Sequence, residues 1–175
     1  MEFNEFQEIK REFFSYRNGV TADMLRKGGS PFKIIFGLTI AQLTEIAKRK
    51  GPNKELALKL WDNNSTRCSM LLAPMLMPLG QFSYEEALKW CHDVPSVEVA
   101  DILCLKLLTK QTYLVDLINN LVHGNEIERY ISLRIALYCL RNNIASQKVK
   151  EILSKADILG KGRYGYLELQ VEELI

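Results

Sequence analysis

Phe3, Phe6, Ile9 and Phe13 return at intervals of three and four residues, and that spacing recurs in segment after segment of this chain. Residues three or four places apart share one side of a 3.6-residue helix, so each segment reads as a short amphipathic helix with one apolar stripe to bury. Punctuation sets the lengths. The first helix is expected to end near Asn18-Gly19, and a loop-rich stretch, RKGGSPFKIIFG, follows with Gly28, Gly29 and Pro31 as breakers. Thr39 is placed to cap a helix carrying Leu43, Ile46 and Ala47 that Gly51-Pro52 ends, and Asn53 to cap the next, through Leu56, Leu60 and Trp61. TRCSMLLAPMLM is helical with an interruption at Pro74, and Ser83 and Glu86 have capping-box spacing.

Further helices are expected around Asp101, from Tyr113 to Val122, from Glu126 to Leu140, after the capping candidate Ser146, and from Tyr166. FKIIFGL comes nearest to a strand pattern, and it is isolated, so a sheet is not expected. Short helices joined by tight turns bury their stripes by stacking in antiparallel pairs, which predicts an all-α, HEAT-like α-solenoid. At 175 residues the chain is long enough for one well-filled core, and residues 1–175 are read as a single domain.

Charge excludes little. The formal net charge of +2 neither requires nor forbids a nucleic acid, so any such binding must come from local clusters of cations. Cys68, Cys91, Cys104 and Cys139 are widely spaced in apolar surroundings, with no C-x-x-C pair, and read as reduced core residues. Cys91 adjoins His92, but neighbours on a helix point about 100° apart, so no metal site is expected. The N-terminal stretch MEFNEFQEIKREFF has no leader-type apolar run, and no segment is long and apolar enough to span a membrane; a cytoplasmic location is expected. No glycine-rich phosphate loop, zincin motif, nucleophile elbow or redox pair is present, and no cofactor is expected.

The segment VEVADILCLKLL then stands out. On a helix, Asp101 falls on the side of Val97, Cys104, Leu105 and Leu108, while Glu98, Lys106, Thr109 and Lys110 gather opposite. An unpaired buried carboxylate costs several kcal/mol, so Asp101 needs a cationic or hydrogen-bonding partner, or a cleft. Arg134, among the apolar residues of ERYISLRIALYCL, is a candidate partner. Two roles stay open for the pair, a structural tie between two helices or the mouth of a groove. Trp61 and Trp90, at helical spacing with leucines, read as core.

The order of GLTIAQLTEIAK, ELALKLWDNNSTRCSMLLAPML, EEALKWCHDVPSVEVADILC and ERYISLRIALYCL, over roughly residues 33–141, resembles the DNA alkylation repair family of HEAT-like DNA glycosylases of the AlkD type. The resemblance implies a helical solenoid whose concave basic surface holds duplex DNA and excises a cationic alkylated purine, such as 3-alkyladenine or 7-alkylguanine, without flipping the base. Carried over by position, Asp101 matches the catalytic aspartate and Arg134 the arginine that contacts the DNA backbone. A carboxylate suits that reaction because positive charge builds on the sugar as the N-glycosidic bond breaks.

The chain departs from the family pattern in three places. Val97 stands four residues before Asp101, where the family has a tryptophan; Tyr164 and Tyr166 are the nearby aromatics for a second platform; and Arg67 replaces a glutamate. A DNA-binding protein with weak or lost excision is therefore expected. Its DNA-binding candidates are Arg134, Lys33, Lys148, Lys161 and Arg163, with Arg26, Lys27 and Lys150 behind them. GKGRYGY places two of these cations among glycines, where a backbone can approach phosphates closely, although an ordinary solvated loop has the same composition. The cationic end AKRKGPNK is explained by the helix dipole alone. The alternative function is a non-catalytic HEAT-like scaffold that binds a protein partner through its concave face.

Overall fold

Asn4 opens the first helix: its side-chain oxygen accepts from the Phe6 amide at 3.1 Å, and Ile9 and Phe13 behind it are fully buried. The structure, a computed structural model, describes residues 4–175, and Phe3 of the expected stripe lies outside them. Among the described residues it is all helical, without strands. In chain order the helices are α1 (Glu5–Ser15), α2 (Gly19–Lys27), α3 (Ile40–Lys50), α4 (Lys54–Asp62), α5 (Arg67–Leu76), α6 (Tyr84–Asp93), α7 (Val97–Lys106), α8 (Leu114–Leu121), α9 (Glu126–Arg141), α10 (Ser146–Ala156) and α11 (Tyr166–Glu172). Their contacts group into two compact units, Met1–Gln81 and Phe82–Ile175. No helix among the described residues is long and apolar enough to cross a membrane.

In the first unit α4 packs on α5, α3 on α5 and α1 on α4. The expected caps form: Thr39 with Gln42 makes a capping box on α3, and Asn53 accepts from the Leu56 amide at 2.9 Å to start α4. Pro74 does not break α5 in the middle. It sits in the last turn, and the helix ends at Leu76. Helix α2 was not foreseen. Asn18 ends one segment but also caps α2, accepting from the Thr21 amide at 3.0 Å. Only Ala22 of α2 is buried, while Val20 and Met24 are exposed, so the helix has no inward stripe for periodicity to detect.

FKIIFGL runs extended between α2 and α3, and Ile34 makes a single bridge to Thr66. Gly37 allows this passage. Its φ is +82°, and a Cβ there would stand 2.2 Å from the Asn18 carbonyl oxygen, where no other residue fits. Arg67, buried to 4% exposure, donates from Nη1 to the Leu38 carbonyl at 2.9 Å and so fastens the end of the same segment.

The second unit is organised around α9, which packs against α7, α8, α10 and α11. Ile131, Leu133, Ile135, Ala136, Leu137 and Cys139 are all buried, as expected of a helix covered on several sides. Ser83 with Glu86 and Asn125 with Glu128 make capping boxes on α6 and α9. Ser146 does not cap α10. It is the first helical residue, after Ala145 in a left-handed conformation, and its hydroxyl is buried without a partner. Trp61 and Trp90 are each 2% exposed and belong to the cores of their units. The four cysteines are free and buried, and burial pushes the Cys104 thiol up to about 12.

Candidate nucleic-acid interface

Ser96 caps α7 by accepting from the Val99 amide, and the helix then buries Val99, Ala100, Ile102, Leu103 and Cys104. Val97 and Leu105, four residues either side of Asp101, are 46% and 60% exposed. The sequence places Asp101 with buried neighbours; the structure places it in the middle of a solvent-facing stripe. The reason is that α7 is apolar almost all round, so side-of-helix arithmetic cannot tell which apolar side is covered.

The partner is the expected one. Asp101 Oδ1 forms an ion pair with Arg134 Nε at 2.9 Å, and it also accepts from the Tyr130 hydroxyl at 2.8 Å. Both partners come from α9, one helical turn apart, so the packing of α7 on α9 sets the cluster. Burial first, and then the hydrogen bond to Asp101, push the Tyr130 phenol well above its ordinary range, which keeps it a donor.

With side chains 39% and 34% exposed, Asp101 and Arg134 are a partly solvated pair, and such a pair contributes on the order of 1 kcal/mol or less. That is well short of the several kcal/mol a fully buried pair would command. Tyr130 was not anticipated as part of this cluster. Its signal was available in its position four residues before Arg134, on the same side of α9.

The remaining candidates are dispersed. Lys33 is exposed in the first unit, and Lys148 is exposed on α10 in the second. Lys161 Nζ lies 2.6 Å from Asp157 Oδ2, whereas Arg163 makes no ion pair among the described residues. Arg26 pairs with Asp23, and Lys150 donates to the Ile175 carbonyl. AKRKGPNK is engaged within its own unit: Lys48 pairs with Glu45, Arg49 with Glu12 and Lys50 with Glu8. His92 Nδ1 stands 2.7 Å from Glu128 Oε1, and no three His, Cys, Asp or Glu side chains gather as a metal set among the described residues.

The loop carrying GKGRYGY is held from beneath. Glu168, 2% exposed, accepts from the amides of Lys161 at 2.7 Å, Gly162 at 3.1 Å and Tyr164 at 3.2 Å. Burial alone would raise this carboxyl, but the amides outweigh it and hold it below the ordinary carboxylate range. The loop is thus a built feature, with its cationic side chains outside and its amides turned onto an internal anion.

No protein-family model matches the chain, and no curated protein matches it. Among solved structures it is similar to one described as "A new family of proteins related to the HEAT-like repeat DNA glycosylases with affinity for branched DNA structures", with a TM-score of 0.81 and 16% sequence identity, covering 97% of this chain and 74% of that one. A likeness of this extent fixes the architecture, and the chain has the all-α, HEAT-like repeat fold that its helical periodicity predicts.

Proposed function

We propose that this chain is a DNA-binding protein on a HEAT-like glycosylase scaffold, with Arg134 contacting the phosphate backbone beside Asp101. The observation that carries the reading is the partly exposed Asp101–Arg134–Tyr130 cluster in a fold whose similar structure belongs to a family with affinity for branched DNA. Arg134 keeps about a third of its side chain exposed beside Asp101, and a guanidinium carries five N–H donors, more than one carboxylate contact uses, so it can also meet a phosphate.

Excision by this cluster is expected to be slow or undetectable, for two physical reasons. Arg134 at 2.9 Å offsets the negative charge that would stabilise a sugar cation, and Val97 provides no ring to position that sugar. What the geometry retains is a partly exposed Asp101 carboxylate, oriented by the two contacts on Oδ1.

Fluorescence anisotropy against a duplex and a four-way junction tests the binding. Log affinity should fall linearly with log salt, with a slope of about −0.9 for each duplex phosphate neutralised. Absence of binding to either DNA at low salt sinks the proposal. Base release from alkylated duplex by the wild type, Asp101→Asn and Val97→Trp tests the chemistry, and robust wild-type release that vanishes in Asp101→Asn would restore a glycosylase. A second reading rests on the exposure of Val97 and Leu105, which gives the same face an apolar character suited to a protein partner. It gains ground if Val97→Asp abolishes capture of such a partner while DNA affinity stays as it was.

A further inference from the structure

The second unit also contains a cavity that plays no part in the Asp101 cluster. It lies among the start of α9, the end of α10 and the loop beyond it, and its volume is about 130 Å³. One water needs roughly 10–15 Å³ of such space, so a polyatomic group fits. His123, Arg129, Asp157, Lys161, Arg163 and Tyr164 supply its polar lining.

Two of these residues bring buried polar groups together, the Arg129 guanidinium beside the Tyr164 hydroxyl. Arg129 Nε and the Tyr164 hydroxyl are out of contact with water and have no hydrogen-bond partner. Burial pushes the Tyr164 phenol above its ordinary range, against the opposing effect of Arg129 close by, so the hydroxyl carries its proton at neutral pH. Buried donors are nearly always satisfied in folded proteins, and this close pair in one wall of the cavity has more donor hydrogens than acceptors, which favours an added acceptor beside it.

Charge specifies the acceptor further. Lys161 and Asp157 offset each other at 2.6 Å, but Arg129 and Arg163 have no carboxylate partner among the described residues. The cavity is therefore cationic overall. Its donors come from two directions, from α9 and from the loop, which suits a compact oxyanion with several acceptor oxygens. Glu168 fixes the loop through three backbone amides, so this wall is organised before anything binds.

A second, wider hollow of about 530 Å³ adjoins it, sharing Arg129 and Arg163 and bounded also by Gly124, Asn125 and Glu126. Asp157 in the first cavity and Glu126 in the second oppose any additional negative charge. A run of phosphates does not fit that arrangement, whereas one phosphoryl group with an uncharged substituent does. We propose that the Arg129–Arg163–Tyr164 cavity binds the phosphoryl group of a phosphomonoester, whose ester substituent extends into the adjoining hollow. This site stands apart from the DNA-binding reading of Asp101 and Arg134.

The test is titration of the full chain with inorganic phosphate, followed by backbone amide NMR. Saturable shifts centred on residues 129 and 161–164, not reproduced by chloride at matched ionic strength, are expected. Arg129→Gln and Tyr164→Phe should each weaken binding by about tenfold, the range for losing a hydrogen bond to a charged group, while Asp101→Asn leaves it unchanged. Because Arg129 is partly buried, Arg163→Gln on the exposed loop provides a variant with no folding liability, and it should weaken binding similarly. Shifts that chloride reproduces, or undiminished binding in Arg163→Gln and Tyr164→Phe, overturn the proposal. Thymidine 5′-monophosphate and thymidine, whose sugar and base are uncharged, then identify the source. Tighter binding of the nucleotide than of glycerol phosphate, lost in Arg163→Gln, supports a nucleoside phosphate. Equal binding of the nucleotide and glycerol phosphate supports a small phosphate ester, and binding of thymidine as tight as that of its monophosphate overturns the proposal.

Discussion

Two basic stretches of this chain look alike in sequence and differ in structure. In AKRKGPNK the cations Lys48, Arg49 and Lys50 face Glu45, Glu12 and Glu8, so the segment is internally neutralised and ties α3 to α1. In GKGRYGY only Lys161 has a carboxylate; Arg163 has none, and the neighbouring Arg129 and Tyr164 keep buried donors unmatched. Anion binding follows from unsatisfied donors and uncompensated charge, not from the density of Lys and Arg. A stretch with three consecutive cations is thereby a weaker candidate than a loop with two.

The largest effect should come from removing the anchor that distinguishes the second stretch. Glu168→Ala leaves three loop amides without their acceptor, at a cost of about 2–4 kcal/mol. The phosphate response of the cavity should disappear with it, because the loop forms one wall. The same carboxylate sets a pH dependence. Its folded pKa is below the unfolded value of 4.5, so its contribution is fully present above pH 4.5 and is lost as pH falls through the lower folded value. Urea unfolding at neutral pH and at progressively lower pH should show the gap between wild type and Glu168→Ala closing on acidification. A constant gap would mean that the amides favour the ionised carboxylate no more than the protonated acid.

Arg134 stands between the two stretches in character, being paired yet left with spare donors. Arg134→Ala should lower stability by no more than about 1 kcal/mol, since its pair with Asp101 is one-third solvated on each side. DNA affinity should fall roughly tenfold at 0.1 M salt, and the salt slope should flatten by about one. A thermal melt beside an anisotropy titration separates the terms. A large loss of stability with unchanged affinity would make the pair a structural tie and place Arg134 with the neutralised cations of AKRKGPNK.

How much of this was legible depended on which physical signal each feature leaves. Helices with a buried stripe and a side-chain cap, such as α3 and α4, were readable because Thr39 and Asn53 announce their starts and Leu43, Ile46, Leu56 and Leu60 repeat behind them. The partnership of Asp101 with Arg134 was readable because a carboxylate in an apolar helix needs a cation. The exposure of Asp101 was not, since α7 is apolar on the open side as well as the covered one, through Val97 and Leu105. Helix α2 left no stripe, and Ser146 resembles a cap although Ala145 takes that position. Arg129 leaves no signal in sequence, and Tyr130 only its spacing from Arg134. They are ordinary residues of a long helix in sequence, and only the packing of α7 and of the 160–165 loop against α9 gives them partners or denies them.

The smallest effect tests the other half of the comparison. Lys48 pairs with Glu45 at 2.7 Å across one turn of α3, both side chains are about two-thirds exposed, and the helix C-terminus favours a cation there in any case. Lys48→Ala should move stability by less than about 0.5 kcal/mol and leave DNA affinity and its salt slope unchanged. The comparison fails if this variant weakens DNA binding as far as Arg134→Ala does. AKRKGPNK would then contact phosphates despite its carboxylates, because a pair this exposed costs little to open, and internal neutralisation would no longer separate structural cations from functional ones in this chain.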